Sequence, residues 1–336
     1  MSLADLNQQS VGYIIVAITQ VSIILAEPGL YGLGVPSVNW SNPSDTYFGV
    51  FNNGSFNQIL DLSNGEYNGF ANGSDPSCSV NNMFYVFVMQ GYGINELIQI
   101  DTDKVTYSQV ASNVLSEQTI ESLYCVGSGP SSSALPLFIA VQSPPNSNTG
   151  ILISSNNAGT GGDKVLYKSN PNRQLLASAY DSTAGIVYIF YNNTATNTNG
   201  VTVYSMVAGQ SQDSVMPRLP ANFVILDTVY SPFDNNIYGI ASIDAAQQTY
   251  RFFVFNPQGG IGINIIKASY TLPQVGSLGT PNIKLDVSGP NVYAALTLTL
   301  SGLRYDTIIL DFDLETYQIT DSSNSYNICA FSAVNA

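Results

Sequence analysis

A strand-turn-strand pattern recurs along this chain about every 50 residues, and it restricts the fold more than any other feature. The clearest copies are ASAYDSTAGIVYIFYNN, LDTVYSPFDNNIYGIAS and KLDVSGPNVYAALTL. Each has an apolar strand, a turn of Asp, Ser, Pro, Asn or Gly, and a second apolar strand with an aromatic residue near its start. This aromatic position is recognisable at Tyr47, Tyr85, Phe138, Tyr188, Tyr238 and Tyr293. Such a repeat predicts one supersecondary unit that is used several times.

Two further short strands follow each aromatic-bearing strand. Examples are YRFFVFNPQG and DTIILDFDLETY, and the latter runs into a last strand, ETYQITD. Four short antiparallel strands per unit are the sequence form of one blade of a β-propeller. The segment GYIIVAI also fits the aromatic-bearing strand through Tyr13, which brings the count to seven. The chain is therefore predicted to be an all-β, seven-bladed propeller, with six blades as the alternative.

The most apolar run, GYIIVAITQVSIILAEPG, is predicted to form two core strands of the first blade, joined at Thr19-Gln20. A membrane helix needs roughly 20 apolar residues, and this run is interrupted. A signal peptide has a basic n-region, which MSLADLNQQ lacks. Residues 1–9 are instead expected to be a disordered or expression-derived extension. The first blade lacks an inner strand, and the C-terminal YNICAFSAVNA is predicted to supply it, which closes the ring and removes open sheet edges.

The whole chain thus resembles the β-propeller superfamily and is expected to be a single domain over residues 1–336. WD-repeat signatures are missing, because there is no His and the only Trp is Trp40. Kelch-type Gly pairs occur only at 161–162 and 259–260. The Tyr-bearing strands and the YDSTAGIVY turn look most like divergent repeats of the NHL and YVTN kind.

Charge and composition exclude several function classes. The formal net charge is −14, so binding to nucleic acid and to anionic membrane surfaces is disfavoured. The absence of His excludes Ser-His-Asp and Cys-His catalysis and His-ligated zinc. Charged residues make up only 10% of the chain, so its surface is built from uncharged polar groups, which suits strands and turns.

Features of the surface favour an extracellular or secreted protein. Glycosylation sequons occur at Asn39, Asn53, Asn72 and Asn192. The three cysteines, Cys78, Cys125 and Cys329, have no metal-like spacing, and the sequence leaves their pairing open.

The propellers that this chain resembles bind ligands on one face. The loops between second and third strands form that face, together with the loops that lead to the next blade. Three of the four arginines, Arg173, Arg218 and Arg304, are predicted on that face. They would bind a carboxylate or sulfate by bidentate contacts, unless each pairs with a nearby Asp or carbonyl. Tyr92, in GYGIN, is predicted to be exposed there and suits a sugar or protein partner.

Two sets of acidic residues are candidates for chemistry. The set Asp61, Asp101, Asp311 and Asp313 ends apolar strands, where Asp stabilises turns, and calcium binding is the functional alternative. The set Asp181, Asp227 and Asp286 lies in or after inner strands, where carboxylates approach the central channel. There they could hold a metal or act as an acid/base pair.

The function favoured by the sequence is a non-catalytic, secreted or surface binding propeller that recognises a macromolecule or glycan through its loop face. The alternative is a carboxylate- or calcium-dependent hydrolase or lyase with its site at the channel mouth, and a purely structural role is the third. Convergence of Asp181, Asp227 and Asp286 in one pocket with raised pKa values would favour the enzyme. No nucleic acid partner and no membrane insertion are expected.

The extracellular prediction is tested by intact mass. The natively produced protein is expected to lose mass when a glycosidase removes Asn-linked glycans, because four sequons are present. A chain that starts at Met1 and keeps the same mass after the treatment would contradict it.

Overall fold

Six antiparallel blades, five of four strands and one of five, form a ring in the described part of the computed structural model. The structure describes residues 29–334 except 37–45, 53, 64–66, 71–76, 91–93, 113–118, 128–134, 144–149, 158–162, 217–222, 245–247, 259–262, 273–281 and 300–304. Within each blade we number the strands from the central axis outward as inner, second, third and outer.

The blades follow chain order, except that the last strand of the chain belongs to the first blade. Blade 1 contains β25 (Tyr326–Val334), β1 (Gly29–Pro36), β2 (Tyr47–Asn52) and β3 (Ser55–Asp61). Blade 2 has an inner strand in two pieces, β4 (Tyr67–Phe70) and β5 (Ser77–Val80), then β6 (Met83–Gln90), β7 (Ile94–Asp101) and β8 (Thr106–Ser112). Blade 3 contains β9 (Thr119–Val126), β10 (Leu137–Ser143), β11 (Leu152–Asn157) and β12 (Asp163–Lys168). Blade 4 contains β13 (Arg173–Asp181), β14 (Ile186–Asn193), β15 (Thr198–Ser205) and β16 (Gln210–Val215). Blade 5 contains β17 (Val224–Ser231), β18 (Asn236–Asp244), β19 (Thr249–Phe255) and β20 (Ile263–Thr271). Blade 6 contains β21 (Asn282–Ser288), β22 (Asn291–Thr299), β23 (Tyr305–Asp313) and β24 (Ile319–Asn324).

Burial changes with distance from the axis. The second strands β10, β14 and β18 are buried along almost their whole length, because a neighbouring blade covers each face of the sheet. This is why they read as continuous apolar runs and do not alternate with polar residues. The outer strands β12 and β16 are mostly exposed and carry polar and charged side chains.

The core is divided among the junctions between blades. Among the described residues there are six apolar clusters, and each draws its members from two neighbouring blades. Alternate residues of one strand serve opposite junctions: Ile237 packs toward blade 4, whereas Tyr238 packs toward blade 6. No blade can therefore bury its apolar surface without both neighbours.

The predicted closure by the C-terminal strand is confirmed. Strand β25 pairs antiparallel with β1, with Leu33 opposite Ala330, and becomes the inner strand of blade 1. The outer strands of blades 6 and 1 are joined as well, since Asn324 accepts a hydrogen bond of 2.7 Å from the backbone N–H of Phe56. The first and last blades are thus fastened both near the axis and at the rim.

The prediction of seven blades is wrong, and the six-bladed alternative is the one observed. Tyr47 begins β2, the third strand of blade 1, so it does not mark a blade of its own. Third strands also lie between two blades and are apolar on both faces, so the pattern does not separate them from second strands. The predicted strand pair over Gly12–Gly29 lies outside the described residues apart from Gly29, which begins β1, and residues 1–9 lie outside them too.

The predicted aromatic position of the repeat is confirmed on the second strands of blades 2, 4, 5 and 6. In blade 3 it is shifted by one residue. Tyr85, Tyr188 and Tyr238 pack toward the following blade. Phe138 packs toward the preceding blade, and its neighbour Ile139 faces the following one. A shift of one residue along a strand reverses the side-chain direction.

No helix among the described segments is long and apolar enough to cross a membrane.

Closure of the ring predicts a large effect of one β25 side chain. Phe331 is 2% exposed and packs in the cluster between blades 6 and 1, with its ring 5.6 Å from that of Phe51. Replacing Phe331 with Ala is expected to lower the free energy of unfolding by about 3–5 kcal/mol, measured by denaturant titration. The matched control is Phe233→Ala, whose ring is 54% exposed, with an expected change within about 0.5 kcal/mol. Equal losses in the two variants would contradict the closure argument.

Candidate functional site

The inner strands surround a cavity of about 530 Å³ on the propeller axis, and all six blades contribute to its lining. We call it the axial cavity. It lies toward the C-terminal ends of the inner strands, because Asn81, Gly127, Ser182 and Pro232, which follow those strands, also line it. It therefore borders the hairpins between inner and second strands, on the face opposite the predicted ligand loops.

A second cavity of about 80 Å³ lies toward the other ends of the inner strands. Ser122 and Asp227 line both cavities. These two residues thus form part of the layer between the two chambers.

Hydroxyl groups dominate the polar lining of the axial cavity. Three tyrosines and six serines and threonines of the inner strands contribute, namely Tyr124, Tyr180, Tyr230, Ser77, Ser79, Ser122, Ser178, Thr228 and Ser332. The charged lining residues are Asp227 and Asp286, and none of the described lining residues is Lys or Arg. The cavity is therefore a neutral to acidic environment.

A chain of hydroxyls crosses the junction between blades 3 and 4. The Tyr124 and Ser178 hydroxyls are 2.9 Å apart, and Ser178 donates to the Ser122 hydroxyl at 2.9 Å. Above this chain the rings of Tyr124 and Tyr180 pack with centroids 5.5 Å apart. Burial, and next the charge of Asp181, raises the pKa of Tyr180, so its phenol stays protonated at neutral pH.

Asp227 and Asp286 occupy equivalent roles in successive blades. Asp227 accepts the backbone N–H of Thr228 at 2.8 Å and that of Leu285, in the next blade, at 2.7 Å. Asp286 accepts the N–H of Val287 at 2.7 Å and that of Ala333, in the next blade, also at 2.7 Å. In each carboxylate, one oxygen thus accepts a hydrogen bond from the inner strand of the next blade. The other oxygen accepts one from the carboxylate's own strand. Burial raises the pKa of Asp286, against the lowering effect of these hydrogen bonds.

Two further inner-strand junctions use other chemistry. Cys78 of blade 2 forms a disulfide with Cys125 of blade 3, and both cysteines line the cavity. Between blades 1 and 2, the Ser77 hydroxyl accepts the backbone N–H of Phe331 at 3.1 Å, and Ser332 donates to Ser79 at 2.9 Å.

Asp181, the third predicted channel acid, has a different place. It is buried and opens the turn between β13 and β14, where one of its oxygens accepts the N–H groups of Thr183 and Ala184 at 2.9 Å. It is not among the residues that line the axial cavity. Two of the three predicted acids therefore share one cavity. Burial, followed by the charge of Asp181, raises the pKa of Tyr230 to about 12.

The strand-ending acids act in turns or strand pairs. Asp61 accepts the N–H of Ser63, Asp101 accepts those of Asp103 and Lys104, and Asp313 accepts those of Glu315 and Thr316. Asp311 lies 3.4 Å from the side-chain nitrogen of Asn291. Within the described ranges no three acidic, His or Cys side chains group closely enough to hold a metal ion. Calcium binding by these acids therefore stays a prediction without a grouped ligand set among the described residues.

Arg173 is engaged by side chains of this chain. Its guanidinium makes a bidentate pair with Asp213, at 2.8 and 2.7 Å, and lies 4.3 Å from the centre of the Tyr191 ring. It also donates to the hydroxyls of Tyr167 and Thr202. This is the local pairing named above as the alternative to ligand binding. Arg218, Arg304 and Tyr92 lie outside the described residues.

Of the sequons, Asn39, Asn53 and Asn72 also lie outside the described residues. Asn192 is half-buried in β14, where it is paired with Gln174 on one side and Asn199 on the other.

Sequence reasoning missed the hydroxyl lining. A signal was present, because the inner strands read SCSV, ESLYCV, ASAYD, DTVYS and FSAV, with small polar residues between apolar ones and a recurring Tyr. Tyr180 and Tyr230 are the same repeat position. The aromatic residues of the second strands are larger than these small polar residues and recur more regularly, so they dominate the repeat pattern.

No protein-family model and no curated protein matches this sequence. Solved structures do match in fold. TolB from Acinetobacter baumannii aligns with a TM-score of 0.52 at 12% identity, over 90% of this chain and 65% of that chain. The fucose-recognising lectin of Aleuria aurantia, a six-bladed β-propeller, aligns with a TM-score of 0.52 at 11% identity, over 85% of this chain and 88% of that one. At such identities the similarity establishes the propeller fold alone, and the NHL or YVTN subfamily stays a prediction.

The environment of Asp286 predicts a pH effect of definite sign. A carboxyl whose pKa is raised on folding contributes stability below its unfolded pKa of about 4 and loses it as pH rises through the folded pKa. The stability difference between wild type and Asp286→Asn is therefore expected to be largest near pH 4 and to shrink toward neutrality.

The control is Asp213→Asn, because hydrogen bonding to Arg173 lowers the pKa of Asp213. That contribution is present above pH 4 and is lost as pH falls through the folded pKa, so the stability difference has the opposite slope. Denaturant titrations between pH 3 and 7 measure both variants. Slopes of the same sign would show that Asp286 is not in the environment described.

Proposed function

We propose that this protein is a non-catalytic binding propeller that recognises a glycan, with the axial cavity as its site. The observation that carries the proposal is the use of the cavity acids. All four oxygens of Asp227 and Asp286 accept backbone N–H groups at 2.7–2.8 Å, so the carboxylates hold the ring together. What the cavity offers a ligand is hydroxyl groups and tyrosine rings, which are groups that bind rather than transfer protons at neutral pH.

A glycan suits this lining better than a protein segment does. The cavity volume, about 530 Å³, is that of a small-molecule pocket and would admit the end of a glycan. Tyrosine combines an apolar ring with a polar tip, as a sugar ring combines C–H groups with hydroxyls. The Aleuria aurantia lectin has a similar six-bladed ring and recognises fucose, which supports the proposal at the level of fold only.

The second candidate is a hydrolase or lyase that acts in the same cavity. One observation favours it: Asp227 and Asp286 line one cavity, and burial raises the pKa of Asp286, which is the direction of shift that a general acid requires. The hydrogen bonds that occupy both carboxylates weigh against it, because a catalytic acid must reach the substrate.

We further propose that the protein works outside the cytoplasm. The Cys78–Cys125 disulfide is part of the cavity wall, and disulfides persist in oxidising compartments. The predicted contribution of the loop face, with Arg218, Arg304 and Tyr92, stays a second contact region for a larger partner.

A glycan array probed with the full chain tests the function. Binding to a defined set of glycans is expected, and mass spectrometry of those glycans after prolonged incubation is expected to find them intact. Absence of binding on the array would overturn the glycan proposal. Cleavage that disappears in Asp227→Asn would establish the hydrolase instead.

A further inference from the structure

We propose that the axial cavity takes a neutral or amino sugar and excludes acidic sugars, with the Tyr124–Tyr180 pair as its stacking platform. This deepens the proposed function and rests on it. Three features of the cavity wall carry the argument: the aromatic pair, the hydroxyl chain beneath it, and the charge of the lining.

The aromatic pair provides the apolar contact. Tyr124 and Tyr180 are both half-buried, and both line the cavity. Their mutual packing at 5.5 Å and the Tyr124–Ser178 hydrogen bond hold the rings in place before a ligand arrives. A sugar that stacks on such rings loses little entropy on the protein side, since the platform is preorganised.

The hydroxyl chain provides the polar contact. Tyr124, Ser178 and Ser122 are linked at 2.9 Å, and each hydroxyl is both a donor and an acceptor. A ligand hydroxyl can extend such a chain either as a donor or as an acceptor, and hydrogen bonds linked in a chain strengthen one another. A polyhydroxylated ligand therefore matches it better than an apolar ligand does.

The charge of the lining sets the selectivity. An anionic group entering the cavity would lose its water near Asp227 and Asp286, without a Lys or Arg among the described lining residues to pair with it. The net charge of −14 adds repulsion at longer range. An ammonium group at the same position would be attracted by the same field.

Two sets of sugars of matched shape test this. The probes are D-glucose, D-glucosamine and D-glucuronate, and D-galactose, D-galactosamine and D-galacturonate, titrated against the full chain by ligand-observed NMR. In at least one set the neutral and amino sugars are expected to bind, with the uronate at least about tenfold weaker. A uronate that binds as tightly as its neutral parent would overturn the proposal.

Variants locate the site. Tyr180→Ala and Ser178→Ala are each expected to weaken sugar binding about tenfold, whereas Tyr180→Phe keeps the ring and is expected to retain binding. The control is Tyr317→Ala, because Tyr317 is 54% exposed and does not line the cavity. Thermal melts of all four variants show whether each remains folded.

The outcomes separate this inference from the proposed function. Array binding together with unchanged affinity in Tyr180→Ala and Ser178→Ala would leave a glycan-binding propeller whose site is elsewhere. Array binding with no response to any of the six monosaccharides would likewise overturn the cavity assignment. Absence of glycan binding on the array would overturn the proposed function itself.

Discussion

Pairing between the last strand of the chain and the first described strand is the contact on which the other blades depend. Each apolar cluster lies between two blades, so a blade without its neighbour leaves half of its buried surface in water. The junction between blades 6 and 1 is special because it must form between the two ends of the described chain. Strand β25 supplies the inner strand of blade 1 and packs Phe331 against Phe51, which completes the last of the six clusters.

The same requirement explains the chemistry near the axis. Inner strands of neighbouring blades are not joined by sheet hydrogen bonds, so side chains connect them. A disulfide links blades 2 and 3, hydroxyls link blades 3 and 4, and carboxylates bind backbone N–H groups between blades 5 and 6 and between blades 6 and 1. The carboxylates of Asp227 and Asp286 are occupied by these contacts, and the proposal of a binding function rests on that observation.

The number of blades could not be derived from the apolar pattern of the sequence. Second and third strands are both covered by neighbours on either face, and both appear as short apolar runs with an aromatic residue near the start. Tyr47 and Tyr238 look alike in the sequence, yet Tyr47 lies on a third strand and Tyr238 on a second strand. Only the pairing partners distinguish them, and pairing is a property of the folded ring. Phe138 illustrates the same limit at the scale of one residue, since the neighbouring Ile139 has the opposite direction.

The sequence by itself determined the all-β class, the repeat of about 50 residues, the closure by the C-terminal strand and the turn role of Asp61, Asp101 and Asp313. These follow from local rules: apolar periodicity, turn chemistry and the cost of an open sheet edge. Tertiary structure decided the blade count, the Cys78–Cys125 pairing, the ion pair of Arg173 with Asp213 and the convergence of Ser122, Tyr124, Ser178 and Tyr180 on one cavity. Those features join residues from different strands or blades, and their positions relative to one another exist only once the ring has closed.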